Sequence, residues 1–279
     1  MLTQEQREQY QRDGYIVIPD FKPLDEIARL RHRAEAIVDA FDPNESRAIF
    51  TTRDQASASD AWFLGSDNSV RCFFEEEAFD AGGRLKQAKA LSINKIGHAM
   101  HDLDPVFSAF TRDPKLAAVA RDLGLERPHI WQSMYIFKQP GIGGEVRWHQ
   151  DATFFDTTPI SVTTFWFALE DATLANGCLW AEPGGHRGPL RERFLRDGDR
   201  ITMEKLDGTP WPIEATAVPL EAKAGSLVCF HGLLPHYSAP NRSPVSRHAF
   251  TLHATDGRTE YSTRNWIQRD ADFPVRGFD

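Results

Sequence analysis

Hydrophobic positions in the first third of the chain recur mostly with the period of a helix. Thr3 and Gln6 form a capping box that predicts a short helix, and residues 14–19 (GYIVIP) then predict a strand. A longer amphipathic helix is predicted from Leu24, because apolar residues recur at steps of three and four until Asp42 and Pro43. These apolar residues are Ile27, Leu30, Ala34, Ile37, Val38 and Phe41.

Helical patterning returns from Ile93 to about Leu123. It is interrupted at Pro105 and Pro114, and each proline suits the first turn of a new helix. Between these regions, residues 44–68 are polar and aperiodic, which predicts a long loop. We therefore expect residues 1–125 to form a mainly helical flank.

After Pro128 the pattern changes to short segments rich in aromatic and β-branched residues, separated by Gly, Pro and Asn. Seven such segments are HIWQSMYIFKQ, GEVRWHQDATFF, SVTTFWFALED, GCLWAEP, TAVPLEA, GSLVCFH and RHAFTLHATD. Strands without intervening helices indicate an antiparallel sandwich or barrel, and a jelly roll fits their number. We expect a single domain, 1–279, with its core at 126–258, helices packed on one sheet, and an insertion at 187–214 over one mouth of the barrel.

Composition and charge narrow the class of protein. The chain has 279 residues, of which 41% are hydrophobic and 26% charged, as is usual for globular proteins. Its net charge of −8 argues against nucleic-acid or anionic membrane partners. No apolar run approaches the about 18 residues of a membrane helix, and three widely spaced cysteines indicate buried thiols rather than a disulfide framework. We expect a cytoplasmic protein; the sequence does not indicate its oligomeric state.

Candidate chemistry begins in the segment WHQDATFF. His149 and Asp151 lie two residues apart in a predicted strand, so the alternation of side chains places both on the same face. An imidazole and a carboxylate in this arrangement, joined by a second imidazole, form the facial triad of non-haem iron(II) oxygenases. The pair alone is a common spacing, and a third ligand is needed to support the interpretation.

Five downstream histidines are candidates for that ligand: His186, His231, His236, His248 and His253. We favour His236, which follows the predicted strand GSLVCFH and precedes Arg247 by eleven residues. A hairpin of this length brings the guanidinium beside the metal. There it can bind the distal carboxylate of a dicarboxylic 2-oxo acid as a bidentate fork.

With these residues, the sequence resembles the phytanoyl-CoA dioxygenase family of iron(II)- and 2-oxoglutarate-dependent oxygenases. The resemblance covers nearly the whole chain. It is carried, in order, by the blocks DGYIVI, RCFFEE, SINKIGHAMHDLDPVF, QSMYIFKQPGIGGEV, HQDATF, EDATLANGCLW and PGGH, and by the pair H-x10-R.

The resemblance implies a double-stranded β-helix, iron(II) bound by His149, Asp151 and His236, and 2-oxoglutarate bound by Arg247. It further places four residues in the cosubstrate pocket: Lys95, Met134, Gln150 and Trp166. The residues themselves admit other roles. Lys95 lies in a predicted helix and can extend along its surface, Met134 and Trp166 suit a core, and Gln150 should face away from its neighbours. Ser246, beside Arg247, offers a hydroxyl contact.

The implied reaction uses O2 and hydroxylates an unactivated C–H bond of a small metabolite, with release of succinate and CO2. Two alternatives remain open: the same fold and metal site in a binding or sensing role, and a cupin-like metalloenzyme that does not use 2-oxoglutarate. The substrate in the family's name is not thereby the substrate of this protein. Because the chain lacks an extended basic cluster for coenzyme A phosphates, we expect a compact polar or anionic substrate rather than a long acyl-CoA.

Overall fold

Six α-helices and fifteen strands make up the part of the chain described by the structure, a computed structural model covering residues 1–53, 61–198 and 200–279. The helices are α1 Gln4–Asp13, α2 Leu24–Ala40, α3 Ala61–Leu64, α4 Met100–Leu103, α5 Pro105–Thr111 and α6 Pro114–Asp122. The strands are β1 Tyr15–Ile18, β2 Val70–Phe74, β3 Ile93–His98, β4 Pro128–Ile136, β5 Val146–His149, β6 Thr157–Thr158, β7 Thr163–Ala168, β8 Leu179–Ala181, β9 Glu192–Asp197, β10 Arg200–Lys205, β11 Val218–Leu220, β12 Leu227–His231, β13 His236–Ser238, β14 Ala249–Asp256 and β15 Glu260–Tyr261. Among the described helices, none combines the length and apolar composition needed to cross a bilayer.

Two antiparallel sheets form the centre of the fold. The major sheet has seven strands in the order β1-β12-β7-β14-β4-β3-β2, and the minor sheet has four in the order β11-β8-β13-β5. Side chains from both sheets share one buried apolar cluster. The predicted fold class, a double-stranded β-helix with helices packed on one sheet, is confirmed.

Burial on both faces explains why the central strands are apolar throughout. All six residues of β7 are buried. Phe165 and Phe167 belong to the cluster that includes the apolar face of α2, whereas Trp166 and Ala168 belong to the cluster shared with the minor sheet. The helices therefore cover the outer face of the major sheet, and its inner face remains available for a site.

The prediction of a helix starting at Ile93 is wrong for its first six residues. Residues 93–98 form β3, paired with β2 on one side and β4 on the other. Lys95 therefore lies on a strand and not on a helix. A short apolar run has no period that separates strand from helix, and here the two partner strands decide. The helical prediction holds beyond this point, where Asp104 and Asp113 cap α5 and α6.

Two further sequence predictions concern loops. Residues 54–60 of the predicted loop 44–68 lie outside the described residues, and α3 occupies part of the remainder. The predicted insertion at 187–214 contains a regular hairpin, because β9 pairs with β10 along six residues of each strand. Glu192 and Met203 of this hairpin line a cleft next to His149, and the position of the insertion over one mouth of the barrel stays a prediction.

Gly232 connects β12 to the segment that carries Asp151. Its N–H donates to Val162 O (2.8 Å), and its carbonyl accepts a bond from Ala152 N (2.9 Å). A methyl group at this position would collide with the Val162 side chain and lie 2.8 Å from the Val162 carbonyl oxygen. We expect Gly232→Ala to lower the free energy of unfolding by about 1–3 kcal/mol, measured by urea denaturation. Gly208→Ala, with open space around it, is the control, and equal stabilities of the two variants would contradict this account.

Candidate active site

Three side chains predicted as metal ligands converge at one end of the space between the sheets. His149 ends β5, His236 begins β13, and the two are direct partners in the ladder between these strands. Asp151 begins a short 3-10 helix immediately after β5. One potential ligand atom from each residue lies within 4.8 Å of the others. Asp151 Oδ1 is 3.6 Å from His149 Nε2 and 3.7 Å from His236 Nε2.

Backbone contacts orient both imidazole rings toward the common point. His149 Nδ1 lies 2.7 Å from the carbonyl oxygen of Arg147, and His236 Nδ1 lies 3.0 Å from that of Leu234. A carbonyl oxygen only accepts hydrogen bonds, so these contacts assign the proton of each neutral ring to Nδ1. Both Nε2 lone pairs are therefore free to bind a metal.

Protonation also favours metal binding. Burial, with His236 nearby, lowers the pKa of His149 to about 3, so the imidazole is neutral at physiological pH. Burial opposes ionisation of Asp151, but His236 and His253 more than offset this and hold the pKa of the carboxyl well below its usual range. Two neutral imidazoles and one carboxylate are the donor set that non-haem iron(II) oxygenases use.

A third histidine and a threonine hold the other oxygen of Asp151. The Thr164 hydroxyl donates a hydrogen bond to Asp151 Oδ2, and His253 Nε2 lies 3.5 Å from the same atom. His253 also stacks on Phe155, with ring centres 5.2 Å apart. Asp151 Oδ1 is thereby left facing the two imidazoles. His253, one of the sequence candidates for a ligand, instead supports a ligand.

We expect His253→Phe to lower iron(II) affinity by about 10- to 100-fold, because loss of a group that orients a ligand typically has this effect. A chelator competition titration measures the change. His32→Phe is the control, since His32 is exposed on α2. An unchanged affinity in His253→Phe would show that Thr164 alone suffices to orient the carboxylate.

Arg247 is the most unusual charged group near this cluster. Its side chain is only 1% exposed, yet it forms no ion pair with any described residue. Nε donates to Gly177 O (3.1 Å), Nη2 donates to Ser238 Oγ (3.1 Å), and Nη1 is buried without a partner in the described ranges. Burial lowers the pKa of Arg247 to about 10, so the guanidinium remains charged at neutral pH. An acidic group is the partner that this arrangement lacks.

The three ligand candidates and Arg247 line one interior cavity, together with three of the predicted cosubstrate contacts: Lys95, Met134 and Trp166. The Arg247 Cζ atom lies 5.5 Å from the centre of the Trp166 ring. Lys95 Nζ lies 3.7 Å from Met134 Sδ, and burial lowers the pKa of this lysine to about 7.

The structure does not bring the other two predicted contacts into the cavity. Gln150 is buried on the opposite side, where its side chain bonds to Pro189 O, Leu233 O and Arg191 N. Ser246 donates instead to Glu170 Oε2 at 2.7 Å. Both side chains fix loop positions around the site.

Lys138 is a cavity residue that was not anticipated from the sequence. Lys138 follows β4 and is almost fully buried, and its Nζ donates to Gly144 O (2.7 Å) and Ser238 O (3.3 Å). Burial and nearby Arg247 hold the pKa of Lys138 well below its usual value. Lys138 lies in the block QSMYIFKQPGIGGEV, but no role was predicted for this lysine, and only the tertiary structure places it in the cavity.

A second, more open cleft lies on the other side of His149. Its volume is about 550 Å³. Four residues line both spaces and connect the cleft to the cluster of ligand candidates: Thr52, His149, Phe154 and Tyr237. The remaining lining residues of the cleft are Glu145, Arg147, Trp148, Thr153, Glu192, Met203 and Trp211.

Residues 10–249 match the family Phytanoyl-CoA dioxygenase (PhyH). The chain belongs to the phytanoyl-CoA dioxygenase family. "Phytanoyl-CoA dioxygenase" of Arabidopsis thaliana is 47% identical over 270 residues, covering 96% of this chain and 94% of the relative. "Phytanoyl-CoA dioxygenase domain-containing protein 1" of Bos taurus is 41% identical over 282 residues, covering 98% and 97%.

Solved structures of lower sequence identity share the fold of this phytanoyl-CoA dioxygenase family member. EctD from S. alaskensis with 2-oxoglutarate and 5-hydroxyectoine has a TM-score of 0.63 at 22% identity, covering 94% of this chain and 78% of that one. The epimerase SnoN in complex with Fe3+, alpha ketoglutarate and nogalamycin RO has a TM-score of 0.64 at 16% identity, covering 97% of each chain.

Family membership and the His-Asp-His cluster confirm the predicted class. The protein is a non-haem iron, 2-oxoglutarate-dependent dioxygenase that uses O2. The donor set, the free Nε2 atoms and the unpaired Arg247 all fit these groups.

Proposed function

We propose that iron(II) is held by His149, Asp151 and His236, and that Arg247 binds the distal carboxylate of 2-oxoglutarate during hydroxylation of a small metabolite. The observation that carries this assignment is a buried, charged guanidinium with an open Nη1, in the same cavity as the three ligand candidates. When bound, iron(II) supplies the O2 activation that couples decarboxylation of 2-oxoglutarate to oxidation of a C–H bond.

The residues around the cavity orient the cosubstrate and exclude water. Gly177 O and Ser238 Oγ hold two guanidinium nitrogens of Arg247, so the third is fixed in direction before a carboxylate arrives. Trp166 packs beside the guanidinium, and Lys95 and Lys138 add two buried nitrogens to the same wall. These groups favour binding of a dicarboxylic 2-oxo acid over a monocarboxylic one.

Anaerobic absorption spectroscopy tests the assignment. Addition of iron(II) and then 2-oxoglutarate should produce the weak visible metal-to-ligand band of a bidentate complex. A band followed by succinate release under air supports the proposed oxygenase. Iron binding without a band would favour the cupin-like alternative, and cosubstrate turnover that no metabolite accelerates would favour a binding or sensing role.

The substrate we propose is a compact polar metabolite that enters through the open cleft. Arg147 is the one basic residue among the described residues that line this cleft, and it is exposed. Binding of an anionic metabolite in this cleft would therefore depend on Arg147. The relatives' names indicate a coenzyme A thioester, whose several phosphates call for more basic side chains than this cleft offers.

The cytoplasmic location of the protein and its organisation as a single domain, 1–279, stay predictions.

The pH dependence of cosubstrate affinity should report on Lys95. With a pKa of about 7, Lys95 is cationic below neutral pH and loses its proton as pH rises. Because the cation attracts a dicarboxylate, we expect 2-oxoglutarate to bind about tenfold more weakly at pH 9 than at pH 6. Calorimetry on the Mn(II)-loaded protein measures this change. Lys95→Met should flatten the profile, exposed Lys115→Met should retain it, and an equal slope in both variants would contradict the assignment.

A further inference from the structure

The open cleft outside His149 combines aromatic walls with negative charge. Four aromatic side chains line it: Trp148, Phe154, Trp211 and Tyr237. Its charged lining residues are two acids, Glu145 and Glu192, and one base, Arg147. Acids therefore outnumber bases in the wall beside the ligand candidate His149.

The two acids differ in how far their charge is offset. Glu145 Oε2 lies 4.0 Å from Arg147 Nε, an exposed and loose ion pair. Glu192 forms no ion pair or hydrogen bond through its side chain in the described part of the chain. The wall therefore retains a carboxylate with no counter-ion.

The aromatic rings provide flat, electron-rich faces. Trp148 and Tyr237 are stacked with ring centres 5.3 Å apart and an interplanar angle of 18°. Trp211 already accepts one cation, because the Arg191 guanidinium lies 4.8 Å from its ring centre. Arg191 is buried and is not one of the residues that line the cleft.

Aromatic faces together with an unpaired carboxylate select an organic cation. The ring quadrupole attracts a positive charge, and quaternary ammonium groups in proteins are typically bound by such rings. A hard divalent cation instead requires several oxygen ligands, which aromatic rings do not supply. We propose that this cleft binds a substituted ammonium group of the substrate and so presents a neighbouring C–H bond to the metal centre. This inference rests on the proposed function and specifies its substrate class.

Matched probes of one shape and three charges test the inference. They are choline, the neutral 3,3-dimethylbutan-1-ol and the anionic 3,3-dimethylbutanoate. Their dissociation constants are measured with Mn(II)-loaded, 2-oxoglutarate-bound protein by tryptophan fluorescence and by ligand-detected NMR. We expect choline to bind about 5- to 30-fold more tightly than the neutral alcohol.

Two variants assign the preference to the cleft. Glu192→Gln keeps the shape of the side chain and should remove most of the preference for choline, and Trp211→Leu should weaken choline binding further. Glu204→Gln, which removes an exposed charge from the same hairpin, should behave as the unmodified protein. Because Glu192→Gln is isosteric, it remains informative even when Trp211→Leu does not fold.

Equal affinity for the three probes, or a preference for choline that Glu192→Gln leaves intact, would overturn the inference. If 3,3-dimethylbutanoate bound most tightly of the three probes, and Arg147→Gln removed this preference, the inference would be wrong and an anionic substrate would be favoured. The anaerobic band of the iron(II) and 2-oxoglutarate complex separates these failures from failure of the proposed function. If the band forms, the oxygenase assignment stands and only the substrate class falls.

Discussion

Replacing Arg247 by methionine should abolish 2-oxoglutarate binding and leave iron(II) binding nearly unchanged. The guanidinium is buried and has no anionic partner among the described residues, so the cosubstrate carboxylate is its expected counter-ion. Removing one member of a buried ion pair costs about 3–5 kcal/mol, which corresponds to a dissociation constant about 100- to 4,000-fold higher. Titration of the anaerobic visible band with 2-oxoglutarate measures the loss.

The same substitution should have the opposite effect on the protein without cosubstrate. An unpaired buried charge is unfavourable, and methionine fills a similar volume without it. We expect the metal-free Arg247→Met protein to unfold at the same or a higher temperature. The added stability that 2-oxoglutarate gives the iron-loaded or Mn(II)-loaded protein should disappear.

Arg242→Met is the matched control for Arg247. Arg242 lies five residues before Arg247 in the chain. It is exposed and pairs with Glu77 at 2.6 Å. Its replacement should change neither cosubstrate affinity nor stability by more than about 0.5 kcal/mol. If 2-oxoglutarate bound equally well to the Arg247→Met and Arg242→Met proteins, the position of the cosubstrate proposed above would be wrong.

Replacing Asp151 by alanine should remove iron(II) binding and turnover together. Asp151 Oδ1 lies 3.6 Å from His149 Nε2 and 3.7 Å from His236 Nε2, and the carboxylate provides the negative charge of the donor set. We expect iron(II) affinity to fall by at least about 100-fold, measured by chelator competition, and substrate-triggered succinate release to fall to background.

Asp151→Asn separates charge from packing. The amide retains an oxygen for the Thr164 hydroxyl, so the local fold should be preserved while metal affinity still falls. Asp25→Asn is the control, because Asp25 is an exposed residue that pairs with Arg29 on α2. Full turnover in Asp151→Ala would show that the ligand assignment is wrong.

Short sequence blocks along nearly the whole chain indicated the family. The spacing of eleven residues from His236 to Arg247 already indicated that Arg247 is the cation that binds the cosubstrate. The structure brings these predicted residues together around one cavity. Asp151 lies just beyond the end of its strand and not within it, yet its side chain still points toward His149. Proximity in sequence was enough here because the 3-10 turn follows the strand directly.

The sequence by itself determined the helices with clear amphipathic period or proline caps, the series of strands after Pro128, and the ligand spacing of His149 and Asp151. Each of these signals is local, because periodicity, capping and alternation act over a few residues. The placement of Ile93–His98 in a sheet depended on partner strands distant in the chain.

Only the tertiary structure decided which side chains share the cavity. It included Lys138 and His253 and directed Gln150 and Ser246 to other partners. It also placed aromatic and acidic residues from separate segments around one cleft. A side chain's surroundings depend on strand register and on loops distant in sequence, and no local pattern encodes those contacts.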